Sequence, residues 1–340
     1  MWLVLSLLAA TSFGLRGILY HWTSQQALNR NALLCGVFFS GALITLVCTL
    51  ATGSAFTVSS LIGVQMGLLS FGANASMFKG FAVGKASIVA ILTALPSAIV
   101  VVVAFAVWGE TLNMAQLSAF IIIIAGILLV RYSNDITRGN LQGAQWGLLA
   151  MLLFAGNDLS GKWSTLMDAP LFPTLVCMFG SGSICFGLWW LRDLRSMRFA
   201  SLAAGQAAQE IAAGTATMSG TAGITVGARN GTSSQSAKPV AASAAKAANA
   251  AGLAIKRSWS FRRTFSVGMA VGITNAVGMM FIVTAFDVGK AGLVSAVTAL
   301  NVLIVLLYTR FVVKERFSRL ETIGISAAFA GILLMRLYGS

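Results

Sequence analysis

Charge is what this sequence has least of. Only 9% of its 340 residues are Asp, Glu, Lys or Arg, while 57% are hydrophobic, and an ordinary soluble domain carries roughly a quarter of charged residues. Histidine occurs once, at His21, which is too few for a metal cluster. The four cysteines, Cys35, Cys48, Cys177 and Cys185, all fall in apolar runs, where a thiol behaves as a small hydrophobe. Neither a disulfide framework nor a zinc site follows, and no cofactor is expected. No nucleotide motif of the Walker type is present, which argues against a primary pump. The clustered nucleophiles, paired carboxylates or metal ligands of an intramembrane enzyme are missing too. Gly180-Ser181-Gly182 has no histidine near the midplane to activate its serine, and the chain is not expected to be an enzyme.

What the sequence has instead is long apolar runs. A helix needs about 20 such residues to cross a bilayer, with every backbone polar group paired inside its own segment. Ten are legible, near Trp2–Tyr20, Ala32–Leu50, Ser60–Phe78, Ser87–Trp108, Met114–Val130, Gly143–Gly161, Phe172–Leu191, Phe265–Ala285, Leu293–Thr309 and Thr322–Leu337. A barrel would need alternation with a period of two, whereas Ile121-Ile-Ile-Ile124 is apolar on every side. No Lys or Arg precedes the first run and polar residues interrupt it, so a retained helix is expected rather than a secretory signal.

The net charge of +14 does not point to nucleic acid, because 20 of the 23 cations lie on one side of the expected membrane. They sit in the connections after segments 1, 3, 5, 7 and 9, with Arg16 near the end of segment 1; only Lys162, Lys290 and Arg336 lie towards the other side. By the positive-inside rule those connections are cytoplasmic and both termini are outside. The expected partners are a lipid bilayer and a small-molecule substrate, with no nucleic acid. The expected location is a multi-pass position in a cell membrane, a bacterial inner membrane.

The chain also repeats itself. Phe81 to Arg131 recurs without a gap at Phe286 to Arg336, a shift of 205, with 19 of 51 positions identical. A weaker echo at a shift of 141 relates Leu7-Leu-Ala9, Phe13 and Trp22 to Leu148-Leu-Ala150, Phe154 and Trp163. The expected division is residues 1–131 as a first five-helix repeat, 132–194 as helices 6 and 7, and 264–340 as helices 8 to 10. Between them, 195–263 is rich in Ala, Gly, Ser and Thr and poor in large apolar side chains, which predicts a disordered cytoplasmic loop. Five crossings per half is an odd number, so the second half enters from the opposite side. The expected fold is therefore an all-α membrane protein of ten transmembrane helices arranged as two inverted five-helix repeats, the architecture that lets secondary transporters expose a midplane site alternately to each side.

Charged groups in hydrocarbon cost about 2.5–3.5 kcal/mol by insertion scales, so the few polar residues inside the runs need a reason. They are Arg16, Asn74, Asn157, Asp158, Asn275 and Asn301. Asp158 is the only carboxylate well inside a run and, with Asn157, is a candidate to bind a substrate amine or a coupling proton; alternatively it is hydrated near a helix end and paired with Lys162. Arg16 either holds an anionic group or snorkels to the headgroups. The asparagines serve as ligands or as glue between helices. Pro96 aligns with Asn301 across the repeat, and since proline removes a backbone donor, this local asymmetry marks a candidate substrate site. Lys85 with Lys290 and Glu110 with Glu315 occupy matching places and suggest a shared structural duty at helix ends.

The block from Gly67 through Phe81-x-x-Gly84-Lys85-Ala86-Ser87, Leu95-Pro96, Gly109-Glu110 and Ala125-Gly126 resembles the EamA-type branch of the drug/metabolite transporter superfamily. The resemblance implies a ten-helix basket around a central cavity that exports or exchanges metabolites, amino acids or drugs. It also implies cytoplasmic termini, opposite to the charge count. The chain departs from the family in having Phe13-Gly14 where members often have Trp-Gly, and Asn301 in place of a second proline. The leading expectation is a secondary transporter exporting a small organic metabolite or drug by alternating access. A lipid flippase or scramblase on the same architecture is the alternative, and an intramembrane enzyme a weaker one.

Overall fold

Apolar segments that must satisfy their own backbone become helices, and a computed structural model of the chain contains, among its described residues, helices and no strand. It describes residues 1–340 apart from 25, 27, 84–85, 132–142, 221–258, 309–310, 313–318 and 339–340. In chain order the α-helices are α1 (Trp2–Ser24), α2 (Arg30–Thr52), α3 (Ile62–Val83), α4 (Ala86–Leu92), α5 (Pro96–Trp108), α6 (Met114–Arg131), α7 (Ala144–Leu166), α8 (Leu171–Gly220), α9 (Phe261–Val288), α10 (Ala291–Thr298), α11 (Asn301–Tyr308) and α12 (Arg319–Tyr338). A short 3-10 turn, Val58–Leu61, leads into α3.

Local chemistry sets several of these ends. Asn29 caps α2 by accepting from the Ala32 N–H at 3.0 Å, and Gly53 ends that helix in the left-handed conformation at φ 64°, which a glycine adopts without a Cβ clash. Gly109 closes α5 in the same way at φ 66°.

Eight stretches are long and apolar enough to cross a membrane, and Met114–Val130 is a shorter apolar helix. The chain is thus a multi-pass membrane protein. Large apolar side chains such as Leu50, Val102, Phe105, Leu188 and Leu333 are exposed on the outside of the bundle, a surface suited to hydrocarbon rather than water. α7 is not among the eight; its Gln145, Asn157, Asp158 and Lys162 lower its hydropathy, and it packs against α3, α4, α5, α9 and α10.

Two expectations change. The loop expected from residue 195 does not begin there, because α8 continues to Gly220; the alanine-rich stretch has high helix propensity and needs no core to extend an existing helix. The remainder of that expected loop, 221–258, lies outside the described residues, as do Lys85 and Glu315. The fourth and ninth segments, read as single helices, are each two helices separated by a tightened turn.

Close helix approach rests on glycine. Gly268 and Gly272 of α9 face the carbonyls of Leu33 and Val37 on α2, while Gly63 and Gly67 of α3 face those of Thr174 and Met178 on α8. The two glycine pairs are related by the same shift of 205. A Cβ on Gly272 would land on the Val37 carbonyl oxygen. Gly272→Ala is therefore expected to lower stability by about 1–3 kcal/mol, as overpacking does, seen as an earlier thermal unfolding of the detergent-purified protein.

Candidate binding cavity

The broken helices converge on one cavity of about 290 Å³ in the middle of the bundle. All seven residues singled out from the sequence, Arg16, Asn74, Pro96, Asn157, Asp158, Asn275 and Asn301, line it. They come from six helices, α1, α3, α5, α7, α9 and α11, and are separated by up to 285 positions in the chain. Phe13, Tyr20, Phe154 and Met279 supply apolar wall between them.

Asp158 and Arg16 are held separately. The Ser295 hydroxyl of α10 donates to Asp158 Oδ2 at 2.5 Å. Arg16 donates through Nη1 to Asn275 Oδ1 on α9, and its guanidinium lies 4.6 Å from the centre of the Phe13 ring and 5.8 Å from that of Tyr20. The two aromatic faces shelter the cation and aim it inward. The alternative pairing of Asp158 with Lys162 does not occur: Lys162 points away, to partners described below. Asn275 is bonded to Arg16, which makes it a second layer that orients the guanidinium. Asn74 donates to the Ser70 carbonyl of its own helix at 2.8 Å.

Polar atoms without partners concentrate here. Among the described residues four buried side-chain oxygens lack a hydrogen-bond partner: Ser97 Oγ, Asn157 Oδ1, Thr264 Oγ1 and Thr298 Oγ1. Three of the four, those of Ser97, Asn157 and Thr298, belong to residues that line the cavity. Buried oxygens of this kind cost about 1–3 kcal/mol each, so the wall of this cavity carries an uncompensated polar cost. Ser97, Ser295 and Thr298 were not singled out from the sequence, since a lone hydroxyl in an apolar helix ordinarily bonds its own backbone.

The breaks themselves are alike in the two halves. Leu95 N–H donates to Leu92 O at 3.1 Å and Ala98 N–H to Leu95 O at 3.1 Å; the equivalents, Leu300 to Val297 and Leu303 to Leu300, measure 3.1 and 2.9 Å. The second break forms without a proline. Pro96 occupies the first position of α5, where its missing N–H costs nothing. The contrast between Pro96 and Asn301 therefore does not create the break; irregular backbone at this depth is tolerated because it lines a cavity.

One turn beyond Asp158, at the end of the bundle where Trp2 lies, polar groups form a lock between helix ends. Lys162 Nζ donates to Phe286 O at 2.7 Å and Gly289 O at 2.9 Å, the carbonyls at the end of α9. It also pairs with Glu110 Oε1 at 3.3 Å, with both side chains largely buried. The other Glu110 oxygen accepts the Ala291 N–H at the start of α10 at 2.8 Å, a favourable place for a carboxylate. Lys290 in turn donates to Gln116 Oε1 at 2.9 Å and to the Thr111 carbonyl. The duty at helix ends suggested by the matched Lys and Glu positions is visible here for Lys290 and Glu110.

An all-helical bundle with an apolar exterior, two broken helices and a cavity lined by polar side chains defines a multi-pass helical membrane protein. Residues 1–132 and 240–337 match the model of the EamA-like transporter family, and the chain belongs to that family, a family of membrane transporters. The match is consistent with the drug/metabolite transporter superfamily. No curated protein matches the chain. A solved structure described only as "Crystal structure of protein" is similar with a TM-score of 0.64, covering 99% of this chain and 96% of the other at 11% identity. That similarity is one of fold.

Proposed function

We propose that the chain is a secondary transporter that exports a small organic metabolite or drug across a cell membrane by alternating access. The observation that carries this reading is a cavity lined by a cation, a carboxylate and three residues whose buried oxygens lack partners. Its volume is near the lower end for small-molecule sites and small for the two chains of a lipid, which favours a solute over lipid flipping.

Ten crossings in two inverted halves are part of the proposal. Helix contacts support it: α1 against α9 answers α7 against α3, and α2 against α9 answers α8 against α3. Lining residues also come in equivalent pairs. Phe13 with Phe154 and Arg16 with Asn157 differ by 141; Ser70 with Asn275, Asn74 with Met279, Thr93 with Thr298 and Pro96 with Asn301 differ by 205. A cavity on such an axis can open to either side when one half rocks against the other. The Lys162 lock holds one side closed, the side that the charge distribution places outside.

Proton coupling through Asp158 is the mechanism proposed for driving export. A carboxylate in hydrocarbon is costly when charged, so binding a proton or a cationic substrate lowers that cost in exchange. In liposomes, solute should move without ATP, and Asp158→Asn should flatten the pH dependence of flux. A pH profile unchanged in Asp158→Asn removes Asp158 from the coupling step.

A further inference from the structure

The two charges in the cavity lie at different depths. Lys162 Nζ meets Phe286 O, which sets one level. Asp158 is four residues back along α7, about 6 Å at 1.5 Å per residue. Ser295, its donor, is likewise four residues beyond Ala291 at the lock. Asn275, which holds Arg16, is eleven residues before Phe286 on α9, about 16 Å by the same rise. The carboxylate and the guanidinium are therefore separated by about 10 Å along the bundle.

Among the described residues neither Arg16 nor Asp158 has an ion-pair partner. The Asp158 end offers acceptors in the carboxylate and in Asn157 Oδ1 beside it, together with the hydroxyl of Thr298, which can accept or donate, three residues, one turn, past Ser295. Ser97 lies on α5, which packs against both α7 and α10. An ammonium, with three donors and no acceptor, fits that set. The Arg16 end offers a planar donor fork suited to a carboxylate. Phe154, Met279 and Ile282 line the cavity as well and present apolar surface. The cavity of about 290 Å³ has the volume of roughly ten waters.

We propose, on the reading that this cavity is the transport site, that it takes an elongated zwitterion: an ammonium at Asp158, a carboxylate or comparable oxyanion at Arg16, and a chain of several apolar atoms between. A molecule whose two charges share one carbon, as in an α-amino acid, engages only one end at a time.

The test is calorimetric titration of the full chain in detergent with straight-chain ω-amino acids from glycine to aminooctanoate, and with the methyl ester and the N-acetyl derivative of each. Affinity should rise with chain length to a maximum among the longer members. Arg16→Gln should weaken the best member about tenfold to a hundredfold, the worth of a hydrogen bond to a charged group, while leaving its methyl ester unchanged. Asp158→Asn should do the same to the parent and spare the N-acetyl derivative. Arg16→Lys, which keeps charge without the fork, should fall between, and melting curves check that each variant is folded. Equal affinity for all lengths, or equal weakening of acid and ester by Arg16→Gln, overturns the proposal. If no member binds while liposomes still take up another solute, the zwitterion is overturned and the transporter reading stands. Length-dependent binding of zwitterions that are never moved across liposomes overturns the transporter reading and leaves this one intact.

Discussion

Lys162→Met is expected to lower the stability of the closed protein by about 3 kcal/mol, the cost of breaking a buried charge pair from one side. The substitution removes two hydrogen bonds to the end of α9 and leaves Glu110 without its cation. The same loss should favour the state in which this end is open. If the lock exists only in the closed state, about 3 kcal/mol corresponds to an open population more than a hundredfold larger. Leu293 lines the lock and is 1% exposed, so a cysteine there, with the four native cysteines replaced by alanine, reports the opening through its rate of labelling by an impermeant maleimide. Earlier melting with faster labelling is the expected result. Earlier melting with unchanged labelling would make the lock a structural brace and nothing more. Glu110→Gln should have a milder effect, because the amide oxygen can still accept from Ala291.

The double variant Ser97→Ala, Thr298→Val is expected to be more stable and less active than the parent. Each hydroxyl oxygen is buried, at 1% and 6% residue exposure, with no partner. Replacing such an oxygen with an apolar group of similar shape relieves part of an uncompensated desolvation, about 1 kcal/mol each. If the hydroxyls accept from a solute, flux should fall about tenfold for each of them removed. Opposite signs in melting temperature and flux are what a binding site held at the expense of stability produces. A gain in stability with flux intact would exclude both hydroxyls from solute recognition.

Much of the site was legible because the bilayer is a strict solvent. In an apolar segment any ionisable or amide side chain stands out against its neighbours, and Arg16, Asp158 and the four asparagines were found on that ground alone. Hydroxyls do not stand out. Ser97 and Thr298 resemble Ser6 and Thr45, which donate to a carbonyl of their own helix at 2.8 Å each, and no local pattern marks theirs as the oxygens left unpaired. Pairing of Lys162 with Asp158, the alternative that their spacing of one turn on α7 offers, does not form; the lysine's partners are 52, 124 and 127 positions away. The asparagine at 275 reads from sequence as a ligand or as glue, and in the folded chain it is the acceptor that orients Arg16. Pro96 stands out from sequence as a local asymmetry against Asn301, whereas the two backbones break alike at these positions.

Composition, the long apolar runs and the repeat at a shift of 205 determine by themselves that this chain is a helical membrane protein with related halves, because hydrocarbon permits few other ways to satisfy a backbone. They also determine which side chains are costly there. Only the tertiary structure decides that those side chains line one cavity, which of them are already bonded, and that Lys162 holds a helix end instead of neutralising Asp158. The reason is distance along the chain: hydrogen bonds between α1 and α9, α7 and α10, or Glu110 after α5 and the start of α10 join residues 137 to 259 positions apart, and no local pattern encodes which of many equally apolar helix faces will be brought together.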